Sequence, residues 1–169
     1  RRSYFIENEL DGVMNYPLKN AIINYVISGR GEELYSVVRN QLDHYPEFAL
    51  NNLMNILGTH DTPRILTVLG KSGQLATERS EMANEILSQN EINFAIKRLK
   101  CASLLQFTLY GFPSVYYGDE IGMQGNRDPF NRKCFDKSET NDEILSWYKK
   151  LSEIKTNYVC LKTGRVFDV

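Results

Sequence analysis

NLMNILGTHDTPR, residues 52–64, is the stretch that decides the fold. Leu53 to Leu57 (LMNIL) is a mostly apolar run too short for a helix, and Gly58 stops it. Such a run reads as a buried strand of a parallel sheet, covered on both faces. The chemistry then changes at once, because Thr59, His60, Asp61, Thr62 and Arg64 are polar or ionisable. An apolar strand that empties into a polar loop is the layout of α/β folds, whose chemistry gathers past the C-terminal strand ends. Thr62 before Pro63 predicts a helix start, since Pro at the first helical position gives up no needed N–H.

Two further strand candidates flank this one. Gly12 to Tyr16 (GVMNY) leads to Asn15, Tyr16 and Pro17, and Pro113 to Tyr117 (PSVYY) leads to Gly118, Asp119 and Glu120. Apolar residues at helical spacing lie between and beyond them. Leu18, Ile22, Tyr25 and Val26 mark one helix, and Leu34, Val37, Val38 and Leu42 a second. Met82, Ala83, Ile86 and Leu87 suggest a modest one, and Phe94 to Tyr110 is the strongest segment, closed by Gly111. Ile144, Trp147, Tyr148, Leu151 and Ile154 give the last. Gly118 to Lys133 reads as a long polar loop, and Tyr158 to Val169 as β-like. The resulting order, β–α–α–β–α–α–β–α–β, predicts parallel pairing and an α/β architecture. Two arrangements compete: a doubly wound open sheet, whose edges would be bare, and a piece of a (β/α) barrel. A barrel needs eight βα units and roughly 250 residues, of which this chain holds about three units.

Composition removes several function classes. The chain has 169 residues, 42% hydrophobic and 24% charged, with net charge -1. That is enough apolar matter for a core, and it offers no basic footprint for nucleic acid. No apolar stretch approaches the roughly 20 residues of a membrane span. Cys101, Cys134 and Cys160 are few and odd in number, and read as reduced thiols of a cytoplasmic protein. The chain opens at Arg1 without Met and stops at Val169 inside a strand-like run, so a longer natural protein is expected.

Among the strand ends, His60 and Asp61 are the sharpest pair. An imidazole can bond a substrate hydroxyl, and a carboxylate can bind hydroxyls or steady developing positive charge. The alternative for Asp61 is an ordinary loop carboxylate near a helix start. Asp119 and Glu120 are adjacent, so in extended chain they point apart and do not form a catalytic pair. A solvated or salt-bridged loop is the alternative for them. His44 is the only other His, and no Cys/His spacing fits zinc. No phosphate-binding glycine motif and no G-x-S-x-G follow a strand.

Taken together, two stretches are far more specific than either alone. NLMNILGTHDTPR resembles the seventh-strand segment of the α-amylase family of glycoside hydrolases, an apolar strand ending in His-Asp. GFPSVYYGDEIG, residues 111–122, resembles the family's eighth-strand signature, G-x-P-x-x-Y-Y-G-D-E. GTHDTPR with NRDPFNRKC looks most like the neopullulanase, cyclomaltodextrinase and maltogenic amylase branch, and DGVMNYP (residues 11–17) is similar to its sixth-strand region. Gly125-Asn126-Arg127-Asp128-Pro129 departs from the branch's Gly-Gly-Asn-Asp-Pro-like loop at Arg127.

The resemblance implies the C-terminal portion of a (β/α)8 TIM barrel: strands six to eight with their helices over residues 1–156, then the first strand of a C-terminal β-domain over 157–169. It implies a retaining enzyme acting on α-1,4-glucosidic bonds of cyclomaltodextrin, pullulan, starch or maltooligosaccharides, using two carboxyl groups about 5 Å apart. Asp61 matches the family's third carboxylate, the transition-state stabiliser. His60 matches the histidine that bonds the sugar at the cleavage subsite. Asp128 and Arg132 match positions holding the neighbouring glucose, and Arg64 has a supporting role. The nucleophile and acid/base belong to strands four and five. Nothing here matches them, and Glu7 and Glu9 do not stand in an acid/base context. The chain alone is therefore expected to be inactive. The resemblance implies no cofactor and does not assign calcium. The expected partner is an α-glucan, with no nucleic acid or membrane, and bare strand edges predict self-association as a homodimer. The alternative is a non-catalytic carbohydrate-binding or regulatory protein derived from the same fold.

Overall fold

The computed structural model describes residues 10–164 and residue 166. Glu7 and Glu9 and most of the expected terminal strand lie outside the described residues. The helices are α1 (Tyr16–Ser28), α2 (Glu32–His44), α3 (Glu47–Asn51), α4 (Ile65–Gly70), α5 (Arg79–Ala83), α6 (Gln89–Thr108), α7 (Asp142–Asn157) and α8 (Cys160–Thr163). The strands are β1 (Met54–Ile56) and β2 (Phe112–Ser114), separated by α4, α5 and α6.

β1 and β2 pair in parallel, with Met54 opposite Phe112 and Ile56 opposite Ser114. The expected strand at Gly12 to Tyr16 contributes only a single parallel bridge, Met14 to Met54. Asn15 N–H donates to the Met54 carbonyl at 2.9 Å, and Met54 N–H to the Val13 carbonyl at 3.0 Å. The segment leaves the ladder early because Asn15 caps α1, accepting from Leu18 N–H, and Pro17 follows in the helix's first turn. Three parallel segments thus lie side by side, with β1 in the centre.

A helical layer covers this sheet. Leu18, Ile22, Leu57, Ile65, Leu69, Leu99, Phe107, Ile144 and Leu151 form one buried cluster linking α1, α4, α6 and α7. A second joins Ala49, Leu50, Leu53 and Tyr110. Beneath the strands runs a buried polar network. Asn15 donates to Gln41 and Asn55 at 3.2 Å each, and Tyr110 Oη donates to Gln41 at 2.8 Å. Satisfied networks of this kind specify one arrangement of a core.

Several boundaries differ from the sequence reading. α6 starts at Gln89, five residues earlier than Phe94, because Ser88 and Glu91 form a reciprocal capping box. α4 starts at Ile65 and not at Pro63, since Arg64 is extended and its N–H bonds the Gly125 carbonyl at 3.0 Å. β2 ends at Ser114, so Val115, Tyr116 and Tyr117 are not strand. The Tyr117 carbonyl turns to the Arg64 guanidinium instead. Cys160–Thr163 is a helical turn where the sequence reads as β-like. Lys155 holds it there, with Nζ donating to the carbonyls of Gly111 at 3.0 Å and Leu161 at 2.6 Å. No helix among the described residues is long and apolar enough to cross a membrane.

Candidate active site

The site lies past the C-terminal end of β1 and is completed by the loop that follows β2. Gly58 makes the exit from β1 possible. A Cβ there would stand 2.2 Å from Asp119 Oδ2, so any larger residue would have to displace that carboxyl group. The chain then turns through Thr59 to Thr62. Thr59 N–H donates to Thr62 Oγ1 at 3.1 Å, and Asp61 N–H donates to Thr59 Oγ1 at 3.2 Å. These short bonds hold the backbone while the side chains of His60 and Asp61 face solvent, each 59% exposed.

The structure brings together all four residues singled out as site candidates. His60 Nε2 lies 3.1 Å from Asp61 Oδ1. Arg132 Nη2 lies 3.9 Å from the same Asp61 oxygen, and Arg132 Nε lies 3.0 Å from Asp128 Oδ1. The Arg132 Nε–H also reaches the His60 carbonyl at 3.2 Å. An imidazole, two carboxylates and a guanidinium therefore share one open surface, although Asp61 and Arg132 stand 71 positions apart in the chain. Such a set can donate to and accept from several hydroxyl groups at once.

Below this surface sits a hub that the sequence reading had placed in support only. Arg64 is 0% exposed. Its Nε–H donates to the Asn131 carbonyl at 2.7 Å, and Nη1 donates to the Tyr117 carbonyl and to Asp119 Oδ1, the latter at 3.2 Å. The guanidinium carbon lies 4.4 Å from the Tyr116 ring centre and 4.5 Å from that of Tyr117, within cation–π range of both. Burial pushes the Asp119 carboxyl up to about 7, against the pull of Arg64. Asp119 is thus a salt-bridged loop residue, and it does not face the solvent-exposed quartet.

The loop after β2 is anchored along its length. Gly125 N–H donates to Thr67 Oγ1 at 2.9 Å, and Asn126 Nδ2 donates to the Ala76 carbonyl at 3.0 Å and to Glu85. Asn131 Nδ2 donates to the carbonyls of His60 and Thr62, both at 2.8 Å. Polarity alone marked this segment as a surface loop, so Asn126 and Asn131 did not stand out in the sequence. Both are fully buried.

Comparison with known proteins places this arrangement. The family model described as alpha amylase, catalytic domain, matches residues 1–157. An amylopullulanase of Thermoanaerobacter thermohydrosulfuricus is 34% identical over 93% of this chain and 11% of its own length. A cyclomaltodextrinase of a Bacillus species is 30% identical over 93% of this chain and 25% of its own length. Among solved structures, the type III pullulan hydrolase of Thermococcus kodakarensis superposes with a TM-score of 0.79 at 28% identity, covering 98% of this chain and 27% of that one. The chain spans about a quarter or less of the length of the curated relatives it matches. Its parallel segments and helices correspond to part of the (β/α)8 arrangement of these enzymes. This chain belongs to the alpha-amylase family of glycoside hydrolases, in the region of the catalytic domain.

Proposed function

We propose that this chain is the glucan-holding part of a retaining hydrolase that cleaves α-1,4-glucosidic bonds in cyclomaltodextrin, pullulan, starch or maltooligosaccharides. The observation that carries the reading is the convergence of His60, Asp61, Asp128 and Arg132 on one open surface past a parallel strand end. Asp61 acts as the third carboxylate, binding ring hydroxyls and favouring the positively charged, flattened sugar of the transition state. His60 donates to a hydroxyl of the same sugar. Arg132, oriented by Asp128, holds the next glucose unit. The nucleophile and acid/base, about 5 Å apart in retaining enzymes, come from sequence outside these 169 residues, so the chain alone binds glucan without cleaving it.

Titration of the 15N-labelled chain with maltotriose tests this. Shifts confined to residues around His60, Asp61, Asp128 and Arg132 are expected, and an unchanged spectrum would sink the reading. Incubation with cyclodextrin or pullulan is expected to release no glucose or maltose. Any release that survives purification and is lost in Asp61→Asn would overturn the division of labour.

We further infer that the chain self-associates as a homodimer through its strand edges. Phe112, Val115 and Tyr117 are exposed along and beyond β2, and Met14, which bridges Met54 on the other edge of β1, is exposed as well. Exposed apolar edges are templates for pairing. Sedimentation velocity should show a dimer that grows with concentration, and a monomer at every concentration would refute it. The three exposed cysteines, none in a disulfide, suit a reducing compartment such as the cytoplasm.

A further inference from the structure

We infer that Asn131 is a positioning residue, a buried amide clasp that sets where Asp61 stands relative to Arg132 and Asp128. This rests on the glucan-binding reading of those three residues.

Asp61 and Arg132 belong to different loops. The direct contact between their side chains is a single exposed ion pair, Arg132 Nη2 to Asp61 Oδ1 at 3.9 Å. Such contacts contribute little and cannot hold two loops in register. Asn131 can. Its side chain is fully buried, and both N–H bonds of its amide are used, one to the carbonyl of His60 and one to that of Thr62. Those two carbonyls bracket Asp61. The main-chain carbonyl of Asn131 accepts from Arg64 Nε at 2.7 Å, which ties the clasp to the buried hub. Arg132, next in the chain, then emerges at a fixed place beside Asp61. Asn131 Oδ1 has no partner and is buried, a cost the fold accepts for the two donors. The amide orientation is fixed by this setting, because a reversed amide would set oxygen against two carbonyl oxygens.

The fold contains a matched device elsewhere. Gln106 Nε2 donates to the carbonyls of Asn55 and Ser114, both at 2.9 Å, and its Oε1 is likewise buried without a partner. That amide joins β1 to β2, and both of its hydrogen bonds lie outside the loop of His60 and Asp61. Gln106→Leu therefore serves as a control for the loss of a buried double donor without loss of alignment.

The experiment is native-state hydrogen exchange by NMR on three proteins: the unsubstituted chain, Asn131→Leu and Gln106→Leu. In the folded variants, the amides of Asp61 and Thr62, each bonded within the loop, are expected to lose protection by about tenfold or more in Asn131→Leu. They should stay within about threefold of the unsubstituted chain in Gln106→Leu. Maltotriose affinity should fall by a similar factor in Asn131→Leu only. Unchanged protection of Asp61 and Thr62 in Asn131→Leu, or an equal loss in both variants, would overturn the proposal. Should Asn131→Leu not fold, the unsubstituted chain supplies the test. Both side-chain amide protons of Asn131 are expected to exchange slowly, together with Thr62 N–H, and exchange at the rate of a free amide would overturn the clasp. Absence of maltotriose binding by the unsubstituted chain would count against the glucan reading, while the exchange result still decides whether the clasp exists.

Discussion

Asp61 and Arg64 are three positions apart and live in opposite physical worlds. The Asp61 side chain is more than half exposed and meets His60 and Arg132 through ion pairs at the surface. Arg64 is wholly enclosed by a carboxyl group, two carbonyls and two tyrosine rings. The difference teaches where geometry comes from. Exposed charges are available to a ligand because nothing covers them, and for the same reason they cannot fix their own positions. Buried charge is expensive to create and strongly destabilising to break, so it can hold the exposed groups in place. The candidate site is a thin exposed charged surface over a buried polar foundation.

The foundation should break hardest. Arg64→Ala leaves the Asp119 carboxyl and two carbonyls buried without their donor, and about 3–5 kcal/mol of stability is expected to go. Urea unfolding followed by circular dichroism would read this. A loss below about 1 kcal/mol would mean that water enters the hub and would erase the contrast. Asp119→Leu in the Arg64→Met background should cost less than the two single changes added together, as expected of directly coupled partners. Gly58→Ala comes next, because its new methyl would meet Asp119 Oδ2 at 2.2 Å. Overpacking of this kind costs about 1–3 kcal/mol. Free tolerance of alanine would show that the Asp119 side chain can move aside.

The pH dependence sharpens the same comparison. Burial raises the Asp119 carboxyl from its ordinary 3.8 to about 7 in the folded chain. The folded state therefore binds a proton that the unfolded state releases anywhere between those values. Stability from this group should rise as pH falls from above 7 towards 4, and Asp119→Asn should remove that slope. Glu91 runs the opposite way. Hydrogen bonds from Lys71 and Ser88 pull it from 4.5 down to about 2, so its contribution is present above 4.5 and lost as pH falls towards 2. Thermal melts of the unsubstituted chain, Asp119→Asn and Glu91→Gln across pH 2–8 separate the two windows.

Much of the fold was legible because periodicity reports burial on one face. LMNIL gave the central strand, and the Leu18, Leu34, Phe94 and Ile144 segments gave four helices. The start of α6 was also written in the chain, as Ser88 with Glu91 three residues on, and the apolar pattern beginning at Phe94 obscured it. The exposed quartet was legible through motif resemblance, and the structure gathers the four side chains. The hub was not. Arginine and asparagine look like surface residues in any local window, and the partners that make Arg64 and Asn131 interior are mostly backbone carbonyls more than 50 residues away. Tyr116 and Tyr117 looked like the end of a strand because aromatic residues favour strands, but flanking the Arg64 guanidinium takes them out of the ladder.

The smallest effect on stability should come from the residues proposed to hold the ligand. Asp61→Asn and Arg132→Gln remove exposed ion pairs, 59% and 45% open to solvent on the two sides. Each should change unfolding free energy by no more than about 0.5–1 kcal/mol, and added salt should shrink even that. Maltotriose binding should respond quite differently, because sugar hydroxyls gain strong charge-assisted bonds only where the charge is already aimed. A weakening of about tenfold or more is expected for either variant, at an unchanged melting temperature. A variant that loses stability and binding together would place Asp61 or Arg132 in the foundation after all. A variant that loses neither would remove it from the glucan surface. Loss of binding alone would show that ligand contact and structural support rest on different side chains.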